Sequence, residues 1–278
     1  MHFTDAPRIL KLFFETKSPA DWCWVNTKMI MKINITNKDI INGSFVFPEG
    51  VTEIVDWAFE DCSSLSNIII PESVTKIGFG AFYRCKRLKH ITLPESVTEI
   101  GKWAFYGCWS LSSIIIPEGV TEIGNMAFSE CSSLSNIIIP KIVAKIGIGA
   151  FYGCSSLKNI TIPESVTEIG DWAFDGCTNL ESITIPKSVT KIGMCSFERC
   201  KRLKHITLPE SVTEIGNWAF CRCKRLKHIT LPESVTEIGN WAFERCKSLK
   251  KISLPKKVKL GHDAFYRCPP DLEIIFRD

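Results

Sequence analysis

The chain has 278 residues, 45% apolar and 23% charged, with 34 Lys and Arg against 30 Asp and Glu and a net charge of +4. These values describe a folded protein of one large domain or two ordinary ones and exclude wholesale disorder. The net charge is too small to point to nucleic acid by itself, and no run approaches the roughly 18 apolar residues that a membrane-spanning helix needs.

Residues 1–43 have no period but contain Phe13, Phe14, Trp22, Trp24 and Ile30. They are expected to form an N-terminal cap over the first coil of a repeat array. A basic start, an apolar stretch of roughly 7–15 residues and a small-residue cleavage site would mark a secretory leader. None is visible in MHFTDAPRILKLFFETK. Phe45 and Phe47 are expected to supply the first strand.

From residue 44 the chain is periodic. Pro48, Pro71, Pro94, Pro117, Pro140, Pro163, Pro186, Pro209, Pro232 and Pro255 stand 23 residues apart. The consensus reads P-E-S-V-T-E-I-G-x-W-A-F-x-x-C-x-x-L-x-x-I-x-I/L. KRLKHITLPESVTEIG occurs unchanged at 86–101, 201–216 and 224–239, the mark of duplication.

Counted from each proline as zero, positions 3, 6, 10, 11, 14, 17, 20 and 22 are small or apolar. In one coil these are Val97, Ile100, Ala104, Phe105, Cys108, Leu111, Ile114 and Ile116. Positions 20 and 22 alternate with polar neighbours, the period of a strand, and the next proline ends it. Gly at position 7, as in Gly78, Gly101 and Gly124, suggests a turn of positive φ. Positions 10–17 have the spacing of a short helical or 3₁₀ turn. Stacked coils bury together what no coil can bury alone.

The end departs from the period: Phe265 follows Pro255 by ten residues, where the other coils have eleven. Residues 44–268 are therefore read as ten 23-residue repeats in one solenoid domain, and 269–278 as a C-terminal closing strand.

The pattern L-x-x-I-x-I/L-P-x-x-V-x-x-I-G-x-x-A-F-x-x-C resembles the BspA-like, or treponemal-type, leucine-rich repeat family over about residues 44–276. A 23-residue period lies within the roughly 20–29 residues of leucine-rich repeats. The resemblance implies a right-handed, curved solenoid, mainly β with short helical turns, carrying a parallel sheet on its concave face. It also implies proteins of microbial surfaces, often adhesins that bind host or matrix proteins. Location stays open: cell surface or secreted by resemblance, cytoplasmic by the absence of a visible leader.

Ten of the 13 cysteines occupy position 14, from Cys62 to Cys268. Stacking puts them in an interior column as free thiols acting as small core residues. Cys23, Cys195 and Cys221 lie off the column and are the better candidates for reactivity. Cys85/His90, Cys200/His205 and Cys223/His228 repeat a Cys-x₄-His spacing. Position 14 faces inward and position 19 outward, so no metal is expected there. No catalytic motif is present, and neither an enzyme nor a cofactor is expected.

Positions 19 and 21 face outward. Asn136, His205, His228 and Lys251 lie in the first column, and Ile69, Ile115, Ile138, Thr207 and Thr230 in the second. The exposed isoleucines are candidate contacts for a protein partner. Charge is uneven: residues 186–278 hold 19 Lys and Arg against 10 Asp and Glu, a net of +9. Much of the excess forms a basic rim: Arg199, Lys201, Arg202 and Lys204, then Arg222, Lys224, Arg225 and Lys227, then Arg245 and Lys247. The rim could attract an acidic protein, a sulfated glycan or nucleic acid. Three readings stand: a surface adhesin binding a protein on its concave face, a module for anionic ligands, and an intracellular scaffold.

Overall fold

The computed structural model describes residues 22–25, 28–31 and 35–277, the first two segments as backbone only. Phe13 and Phe14, and the side chains of Trp22, Trp24 and Ile30, lie outside the described residues. Strands are numbered in chain order. β1 (Trp22–Val25) and β2 (Lys28–Met31) form an antiparallel hairpin, and β2 pairs in parallel with β3 (Val51–Ile54). The chain continues through β4 (Asn67–Ile69) and β5 (Lys76–Ile77), β6 (His90–Thr92) and β7 (Glu99–Ile100), β8 (Ser113–Ile115) and β9 (Glu122–Ile123). Next come β10 (Asn136–Ile138), β11 (Lys145–Ile146), β12 (Glu168–Ile169), β13 (Ser182–Thr184) and β14 (Lys191–Ile192). The last are β15 (His205–Thr207), β16 (Glu214–Ile215), β17 (His228–Thr230), β18 (Glu237–Ile238), β19 (Lys251–Pro255), β20 (Lys259–Leu260) and β21 (Glu273–Arg277). All pairings between these strands after the hairpin are parallel, one coil onto the next.

Each coil thus contributes to two sheets. Positions 19–21 form one, with the middle residue buried and its neighbours outward, as alternation predicts. Positions 5 and 6 form the second, which sequence alternation does not reveal. Its outward column mixes lysines among glutamates, so Lys76 bridges Glu53 and Glu99, Lys145 meets Glu168, and Lys191 meets Glu214. Such exposed pairs contribute little each and serve mainly to fix register.

The third side differs from expectation. No helix occurs among the described residues; positions 8–17 are successive turns. The amides of positions 10, 12 and 14 bond back three residues, as in Cys85 to Phe82. Those of 9, 11 and 13 instead donate to the next coil, as in Phe82 to the Ala104 carbonyl at 2.7 Å. Left-handed backbone at positions 9 and 13 produces the alternation. It is held by Trp57, Trp103 and Trp218 at position 9, and by Arg199, Arg222 and Arg245 at position 13. Non-glycine residues rarely adopt that conformation, and the inter-coil bonds offset the strain.

The position-7 glycines do not have positive φ. They are small for another reason: a Cβ on Gly101 would lie 2.6 Å from the Gly78 carbonyl carbon in the coil before. Phe45 and Phe47 do not form the first strand; Phe45 packs edge-on against Phe59 at 5.1 Å and starts the core. From Phe59 onward the position-11 rings stack face to face at 5.0–5.7 Å, ending at Phe265.

Candidate functional site

The outward face of the 19–21 sheet is built by strand alternation. Burial of Ile114 and Ile137 obliges their neighbours Ile115 and Ile138 to face solvent, where they are 69% and 57% exposed. They stand directly opposite each other in the ladder between β8 and β10, as do Ser113 and Asn136. Cross-strand neighbours of this kind lie about 5 Å apart, so the two isoleucines make one apolar patch. Ile69, 76% exposed, is opposite Thr92 in another ladder and separate from that patch.

The ladder on this side is interrupted between β6 and β8, after β10, and between β15 and β17. Two of these interruptions carry grooves. One, of about 580 Å³, runs between β10 and the coil of Asn159, with Asn136, Ile138, Lys141, Asn159, Thr161 and Glu164 on its walls. The other, of about 410 Å³, lies between β15 and β17 and is lined by His205, Thr207, Glu210, His228 and Thr230. Lys251 sits opposite His228 and pairs with Glu273 at 3.8 Å. No sequence column marks the grooves, because they arise where adjacent coils fail to pair.

The basic rim divides into two parts. Arg199 forks onto the buried carboxylate of Asp175 at 2.9 and 2.8 Å and donates to the Tyr152 hydroxyl at 3.1 Å. Burial pushes the Asp175 carboxyl above the usual carboxylate range, and the guanidinium draws it part of the way back. Arg199 is therefore a structural clamp across coils. Arg245 lies beside Glu244 at 3.4 Å, and Lys204 bonds Glu181 at 2.8 Å. Lys201, Arg202, Lys224, Arg225, Lys227 and Lys247 are exposed and form no ion pair with another described residue.

The cysteine column is buried from Cys62 to Cys246 and half-buried at Cys268, and each thiol donates to the preceding coil: Cys154 Sγ reaches the Phe128 carbonyl at 3.1 Å, and Cys177 that of Phe151 at 3.2 Å. Cys85 is buried while His90 is exposed, so the Cys-x₄-His pairs diverge. Among the described residues no three or more His, Cys, Asp or Glu gather as metal ligands. Cys195 and Cys221, expected to be reactive, are buried instead. Burial, with Glu198 beside one and Glu198 and Glu244 beside the other, pushes both thiols up to about 12. At pH 8 a pKa of about 12 leaves about one thiolate in ten thousand. A thiol-labelling reagent at that pH should leave both unmodified in the native protein and modify both in denaturant. Peptide mapping reads the result, and rapid native labelling of either would contradict it. The side chain of Cys23 lies outside the described residues.

Coils of two short strands and a turn, with Phe and Cys ladders inside, match the BspA type leucine rich repeat region in six copies over residues 37–158 and 144–273. The chain belongs to this family. Solved structures of leucine-rich repeat proteins resemble it as well. A leucine-rich repeat protein from Bacteroides ovatus is 33% identical over 76% of this chain, with a TM-score of 0.62. The match spans 63% of that protein's length. A leucine-rich repeat protein from Eubacterium ventriosum is 22% identical, covering 86% of this chain and 88% of its own, with a TM-score of 0.50. A leucine rich cell surface protein from Faecalibacterium prausnitzii is 25% identical over 94% of each chain, with a TM-score of 0.48. No curated protein matches the sequence. No helix among the described residues is long and apolar enough to cross a membrane.

Proposed function

We propose that this solenoid is a non-enzymatic binding protein of the adhesion type, taking a protein partner on the outward face of its 19–21 sheet. The observation that carries the reading is the Ile115–Ile138 pair, two large aliphatic side chains adjacent in one ladder and more than half exposed. The groove beside Ile138 supplies a recess in which a partner side chain can be desolvated. Interfaces concentrate their energy in such apolar anchors ringed by polar groups. Here Asn136, Asn159 and Thr161 provide the ring. Solenoids present extended surfaces of this kind, and family membership favours an adhesive role.

Replacing Ile115 and Ile138 with Asp should weaken partner binding at least tenfold, with the thermal unfolding curve close to the parent's. The assay is adhesion to immobilised host and matrix proteins, parent against variant. A variant that binds the same protein at the parent's affinity would remove the partner from this face.

A further inference from the structure

We propose that coils seven and eight form a separate site for a linear sulfated glycan, with the sulfate esters on the basic rim and sugar hydroxyls in the groove between β15 and β17. The inference does not rest on the isoleucine face, which lies three coils away.

The site is made by one sequence used twice. KRLKHIT at 201–207 and again at 224–230 places the same side chains in register, one coil apart. Lys201 and Arg202 stand above Lys224 and Arg225, all four exposed and without an ion pair among the described residues. Lys204 and Lys227 form the next row. Lys204 is partly occupied by Glu181, whose carboxyl is held below its usual range first by Lys204 and also by Arg202 and Arg225. Fixed cations of one sign, repeated at about 5 Å, suit a stiff polymer that bears anionic esters at short intervals.

Beyond the cations the chemistry changes. His205, His228, Thr207 and Thr230 line the groove of about 410 Å³, together with Glu210. These groups donate and accept hydrogen bonds, as sugar hydroxyls require. The position-21 residues here are threonines where coils three and four have exposed isoleucines. An acidic protein would find no exposed large apolar side chain at positions 19–21 of these two coils; the exposed Ile274 and Phe276 lie on β21, beyond β19. Single-stranded nucleic acid would need exposed aromatic faces for its bases. Trp218 and Trp241 are stacked on each other at 4.9 Å, half-buried, on the turn side. Cations beside a hydroxyl-binding groove, with neither anchor nor stacking platform, favour the glycan.

The molecule contains its own control. Coil two carries the same heptad at 86–92, but coil three follows it with Trp109, Ser110, Ser112 and Ser113 at the equivalent positions, and Lys86 lies over the Trp109 ring at 5.1 Å. A single copy offers one row of cations and no second row to extend it.

Heparin serves as the test ligand, with fully desulfated heparin, single-stranded DNA and polyglutamate as comparisons, titrated calorimetrically at physiological ionic strength. Heparin should bind, and changing Lys201, Arg202, Lys224 and Arg225 together to Gln should weaken it at least tenfold and flatten its salt dependence. Lys86→Gln with Arg87→Gln should change the affinity less than twofold. Desulfated heparin, DNA and polyglutamate should each bind at least tenfold more weakly. No heparin binding, an unaffected fourfold variant, or an equal loss in the coil-two control would each overturn the proposal. So would equal binding of desulfated heparin, DNA or polyglutamate, the last two pointing to a general anion surface. Should the fourfold variant fail to fold, acetylation footprinting of the parent decides. Heparin must then protect Lys201, Lys204, Lys224 and Lys227 more than Lys86 and Lys89, and equal protection would overturn the site.

Discussion

Phe151→Ala should destabilise the protein by about 3–5 kcal/mol, the range for emptying a fully buried aromatic position. Phe151 has no solvent exposure and stands between Phe128 at 5.7 Å and Phe174 at 5.5 Å, both nearly parallel to it. Its loss opens a cavity that the two neighbours cannot fill, because inter-coil hydrogen bonds hold their backbones, from the Phe128 amide to the Ala150 carbonyl and from the Phe174 amide to the Ser196 carbonyl, each at 2.9 Å. Each stacked contact adds about 0.5–1.5 kcal/mol beyond area. In a solenoid the damage also acts on cooperativity, since each coil touches only its neighbours. Urea unfolding should therefore lose slope as well as midpoint, with the coils before and after the lesion melting separately. Tryptophans on both sides, Trp57 and Trp103 before it and Trp218 and Trp241 after it, make fluorescence sensitive to each half. A midpoint shift corresponding to less than 1 kcal/mol would show that the ring ladder is not the principal source of stability.

The inward columns are legible in the sequence because burial imposes one side-chain size per position and stacking repeats the requirement in every coil. Val97, Ile100, Phe105, Cys108, Leu111 and Ile114 are all buried as their spacing predicts. The outward direction of Ile115 and Ile138 follows from the same alternation. The second sheet is hidden because its strands, such as Glu99–Ile100, are two residues long and show no period. The left-handed turn positions are hidden by their occupants. Gly80, Gly107 and Gly153 mark them, but Trp103 and Arg222 at the same two positions do not look like turn residues. The rim is half legible: spacing reveals the cations, but not that Arg199 is spent on Asp175, 24 residues earlier and one coil away. The grooves depend on which neighbouring coils fail to pair, and identical repeats carry no sign of that.

The glycines of position 7 give the sharpest test of this stacked geometry. Gly170→Ala should destabilise the protein by about 3 kcal/mol, the upper end of the cost of overpacking. Two effects oppose each other. Replacing Gly by Ala lowers the entropy of the unfolded chain and by itself stabilises by about 0.4–1 kcal/mol. Against that, a Cβ on Gly170 would lie 2.6 Å from the Ile148 amide nitrogen and 2.7 Å from the Gly147 carbonyl carbon. Both are backbone atoms, so no side chain can swing away and the two coils must separate. Separation strains the bond from the Gly170 amide to the Ile146 carbonyl, now 2.8 Å, and the pairing of β11 with β12. Gly119→Ser is the contrasting substitution. Its nearest neighbour would be a threonine methyl at 3.0 Å, and in other coils the serine at this position donates to the main chain, as Ser96 does to the Val74 carbonyl at 2.7 Å. Gly119→Ser should be neutral or stabilising, while Gly170→Ala lowers the urea midpoint. Equal effects of the two would mean that position 7 is glycine for its backbone freedom and not for the closeness of its neighbour.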